Sequence, residues 1–198
     1  MAAFTLYNPA AHTFSSLTSA LLSGGSGISV TAGSISVKYG TGTAYTDTGS
    51  RDTTSIAFYD GSIPSLGIGA GLFLTSGDGN PPTLNTQSSY GVSLTPSETD
   101  TDLNTTVHGA FPSAGEIKDT TALEFSFTVS DPALTSIKFS LIYASDEYPE
   151  FSDSSFVDIA GVYVNGETSA KLSKKCSVMS GIVNFPVAGW NSVCFWLI

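Results

Sequence analysis

The clearest periodicity in the chain is an alternation of apolar and polar residues in its second half. Leu123, Phe125, Phe127 and Val129 fall on one face, opposite Glu124, Ser126 and Thr128. After an Asp131-Pro132 break, Ile137, Phe139, Leu141 and Tyr143 repeat the pattern opposite Lys138 and Ser140. A period of two sends successive side chains to opposite faces of a strand, so both runs are predicted to be half-buried strands. From Phe156 to Val164 both faces are largely apolar, which predicts a strand inside a sheet, and Asn165-Gly166 then supplies the preferred pair for a tight hairpin turn. On such a strand Asp158 shares a face with Phe156, Ala160 and Val162. A carboxylate there needs a cation, several donors, or a bulge that turns it outward.

Earlier patterns are shorter. Phe14, Leu17, Ala20 and Leu21 recur at helical spacing, with Thr13 able to cap the start and Gly24-Gly25 able to end the segment, which predicts one short helix. Gly27 to Thr31 and Ile35 to Tyr39 alternate as strands do. Residues 40 to 56, rich in Gly, Thr, Ser and Asp, read as a loop. Ser65 to Ser76 reads as a glycine-rich strand running into the turn signal Gly77-Asp78-Gly79-Asn80-Pro81-Pro82. Residues 80 to 118 have few periodic apolar positions and read as a long surface excursion. The whole pattern predicts an all-β fold, a β-sandwich of jelly-roll type with one short N-terminal helix.

Composition supports that class. The 198 residues fit a single larger all-β domain, and twenty glycines with 12% charged residues suit short strands and turns. A net charge of −10 leaves no basic face for phosphates, so nucleic acid is not expected as a partner. Two cysteines, Cys176 and Cys194, do not make a disulfide framework. The opening Met1-Ala-Ala-Phe-Thr-Leu-Tyr-Asn-Pro does not read as a signal peptide, and no apolar run approaches the ~20 residues of a membrane span. The charge is unevenly placed. All 17 acids lie at or before Glu167, whereas Lys171, Lys174, Lys175, both cysteines and both tryptophans follow it. This predicts a domain over 1–167 and a tail over 168–198 that is either its final strands or foreign sequence.

The densest chemistry lies in one stretch. Asp146, Glu147, Glu150, Asp153 and Asp158 bring five carboxylates and no base into thirteen positions. Two such charges about 6 Å apart repel by roughly 0.7 kcal/mol in bulk water and nearer 3 kcal/mol at an effective dielectric of 20. A compact loop then needs a cation, and hard oxygen ligands favour Ca²⁺; an open loop on an acidic protein does not.

The same stretch resembles the bacterial choice-of-anchor L domain family through Ser145-Asp146-Glu147-Tyr148-Pro149-Glu150-Phe151, Ser154-Ser155-Phe156, Asp158 and Asn165-Gly166. Weaker likenesses precede it in order, at Gly71 to Asp78 and at Asp119 to Phe127. The resemblance implies an exported, surface-located bacterial domain that is usually joined to an anchoring signal and has no established catalysis. No sorting sequence of the LPxTG or PEP type occurs here, so the anchoring mode does not carry over.

The leading expectation is therefore an extracellular or cell-surface binding or adhesion module, non-catalytic, with Ca²⁺ held by Asp146, Glu147, Glu150, Asp153 and Asp158, and with a glycan or protein as surface ligand. One rival is a carbohydrate-active hydrolase using Glu147 and Glu150, which requires carboxyl groups about 5 to 9.5 Å apart. Another is a structural spacer. Asp100-Thr-Asp102-Leu-Asn104 imitates the start of an EF-hand, but Thr105 and Phe111 replace its glycine and final glutamate, so it reads as a loop. Gly67-Ile-Gly69-Ala-Gly71 lacks the spacing of a dinucleotide fingerprint, and neither His12 nor His108 lies in a hydrolase or zinc motif. Asn104-Thr105-Thr106 is a formal glycosylation sequon of the kind that arises by chance.

Overall fold

The computed structural model describes residues 3–22, 27–46, 49–82, 92–131, 133–145, 157–164, 167–173, 178–186 and 192–197. Its centre is a sheet in which β8 (Thr121–Val129), β10 (Ile159–Val164), β11 (Glu167–Ser173), β13 (Ser192–Leu197) and β2 (Ile28–Val30) run in the order β11-β10-β13-β8-β2, with β3 (Ser36–Lys38) also on β8. A three-stranded sheet joins β1 (Phe4–Leu6), β6 (Ile56–Tyr59) and β7 (Gly71–Leu74) in the order β1-β6-β7. Two ribbons complete the strands: β4 (Thr41–Thr46) with β5 (Gly49–Thr54), and β9 (Ser136–Ala144) with β12 (Val178–Pro186). Every one of these pairings is antiparallel. The fold is all-β with two short helices; these pairings close no barrel, and by themselves they do not trace a jelly roll.

The alternation along β8 decides how the layers pack. Leu123, Phe125 and Phe127, all at most 2% exposed, point into a core shared with Ile56 of β6, Phe139 of β9, Val162 of β10 and Leu17 of α1 (Phe14–Leu21). Burying each such side chain contributes about 1.5–3 kcal/mol. Ala122, just before them, faces the other way, into a second cluster with Ile159 and Tyr163 of β10 and with Leu103 and Val107 of α2 (Thr101–Ala110). The central sheet is thus covered on both faces, which is why β10 reads as apolar on both. Gly161 leaves room for the Tyr163 ring of its own strand: a Cβ there would stand 2.6 Å from that ring, but at an ordinary 3.4 Å from Leu103 of α2.

Three expectations change. The segment 40–56 is not a loop but mostly the β4–β5 hairpin, whose inward positions include Ala44 and Thr53, both buried. Threonine fits a pleated surface, but a hairpin of Thr and Gly lacks the apolar alternation that announces a strand. The expected single helix is joined by α2, and the EF-hand-like residues read as a loop form its first turn. Asp100 is its N-cap, its Oδ1 accepting from the backbone N–H groups of Asp102 at 2.9 Å and Leu103 at 3.2 Å. Finally, of the run 65–76 read as a glycine-rich strand, only Gly71–Leu74 is strand, and Pro64–Leu66 forms a 3-10 turn.

Strands from the compositionally distinct 168–198 segment pair with strands that precede it. β12 pairs with β9 along its whole length, and β13 lies between β10 and β8. The register pairs Val164 with Glu167, so the connecting residues are Asn165 and Gly166, which lie outside the described residues.

Candidate functional site

The acidic stretch connects β9 to β10 and therefore crosses from the β9–β12 ribbon to the central sheet. Its two ends are tied. Ser145, one residue past β9, donates its hydroxyl to Asp158 Oδ2 at 2.7 Å. Next to Asp158, Val157 packs on the α2–β10 cluster. Asp158 consequently stands before β10 rather than on the strand face with Ala160 and Val162, and its carboxylate is half-buried and hydrogen-bonded. Asp146, Glu147, Glu150 and Asp153 lie outside the described residues, and so does the Glu147–Glu150 pair of the hydrolase reading. Among the described residues, no group of three or more His, Cys, Asp or Glu side chains is placed to hold a metal.

Two other carboxylates are committed to the scaffold. Asp78 is buried, and it accepts from the Arg51 guanidinium, from Thr53 Oγ1 and from the Asn80 backbone N–H at 2.9 Å. Arg51 also donates to the Asn80 carbonyl. Glycine follows Asp78 because a Cβ at Gly79 would lie 2.4 Å from the Thr54 carbonyl, where the Gly79 N–H donates at 2.8 Å. The turn is thereby clamped against β5. Asp100 does similar service between elements, with its Oδ2 accepting from Lys38 Nζ at 2.9 Å while it caps α2.

Sequence reading took Asp78 as part of a turn signal and missed its partner. The available clue was that Arg51 is the sole arginine in an acidic chain.

The histidines take local structural roles. His12 Nδ1 accepts from the Asn8 N–H at 3.1 Å and its ring meets Phe58 at 4.8 Å, while His108 Nδ1 lies 2.9 Å from the Asn104 carbonyl. Among the described residues, burial, then the neighbouring Tyr39, raises the Tyr7 phenol above its ordinary range. Hydrogen bonds from the Ser62 side chain and backbone lower the exposed Asp60 carboxyl. Neither belongs to the acidic loop.

A family model described as the choice-of-anchor L domain matches residues 7–186. No curated protein matches the chain, and no solved structure matches it.

Proposed function

The chain belongs to the choice-of-anchor L domain family, a family of surface-associated domains, and from that premise we propose that it is an extracellular, non-catalytic binding or adhesion module stabilised by Ca²⁺ in the loop between β9 and β10. The observation that carries the reading is the Ser145–Asp158 hydrogen bond. It ties together the two described residues that flank Asp146, Glu147, Glu150 and Asp153 in the sequence, and so favours keeping these like charges near one another.

A bound divalent cation converts that repulsion into attraction. Ca²⁺ accepts six to eight oxygen ligands in flexible geometry, and sites of about 10⁻⁴–10⁻³ M affinity are typical of extracellular modules. An exported domain meets calcium in that range. The net charge of −10 supports a glycan or protein ligand over nucleic acid. No helix among the described residues is long and apolar enough to cross a membrane.

A thermal melt tests the cation. With Ca²⁺ at 100 times its dissociation constant, the native state is expected to gain about 2.7 kcal/mol over the same chain in EDTA, which corresponds to roughly 5–11 °C for a domain of this size. An identical melting temperature in the two buffers removes calcium from the proposal.

A further inference from the structure

We draw no further inference here: the strongest candidate, the face of the three-stranded sheet where the half-buried Phe4 and Phe73 rings meet at 4.9 Å, carries nothing, because nothing among the described residues shows what covers it.

Discussion

Deleting residues 168–198 is expected to abolish cooperative folding, even though composition and charge mark position 168 as a boundary. The last strand, β13, occupies an interior position in the central sheet. It pairs from Ser192 to Leu197 with β8 and from Val193 to Leu197 with β10. Those two strands carry Leu123, Phe125 and Val162 into the main core.

Removing β13 breaks roughly ten interstrand hydrogen bonds, each worth about 1 kcal/mol net. That sum is comparable with the ~5–15 kcal/mol stability of a whole domain. The same truncation strips β12 from β9 and β11 from β10. A 1–167 chain should show poor amide dispersion and no cooperative melt. A sharp transition close to that of the full chain would instead make 168–198 an appendage.

Replacing Arg51 by alanine is expected to destabilise the fold by about 3 kcal/mol, the lower end of the range for breaking a buried ion pair. Its partner Asp78 has a fully buried side chain, whereas the Arg51 side chain is 31% exposed. The penalty is therefore mainly that of leaving the carboxylate with Thr53 and the Asn80 N–H but without its guanidinium. For a chain of this length that is a fall of about 6–12 °C in Tm.

Asp78→Asn in the same background should recover part of the loss, since an amide oxygen still accepts from Thr53 and Asn80 and carries no charge to desolvate. Measured as a double-mutant cycle, the two losses should fall well short of additive. Strict additivity would show that the pair does not interact in solution.

What was legible in the sequence follows from where large apolar residues alternate. Strands β8, β9 and β10 were readable because Phe, Leu, Ile and Val recur every second position, and the two-faced burial of β10 was visible in its continuous apolar run. Its cause, α2, was not, because that helix buries only Leu103 and Val107 among Thr, Asn and Gly residues of weak helix propensity. The β4–β5 hairpin escaped for a similar reason, its inward positions being Ala44 and Thr53 rather than large hydrophobes.

The acidic stretch announced itself by charge density, whereas the expected place of Asp158 on the strand face gives way to one just before β10, where the Ser145 hydroxyl donates to it. The Arg51–Asp78 pair spans 27 residues and has no local signature.

The central claim, that the loop between β9 and β10 is a cation site, is tested most directly by titrating Ca²⁺ calorimetrically into the metal-free chain. The comparison is a variant carrying Asp146→Asn, Glu147→Gln, Glu150→Gln and Asp153→Asn together. These substitutions keep the size of each side chain and leave the Ser145–Asp158 bond in place. Saturable binding by the native chain, weakened at least about tenfold in the variant, a difference of about 1.4 kcal/mol, is the expected result. No binding to the native chain, or equal binding to both, would contradict it.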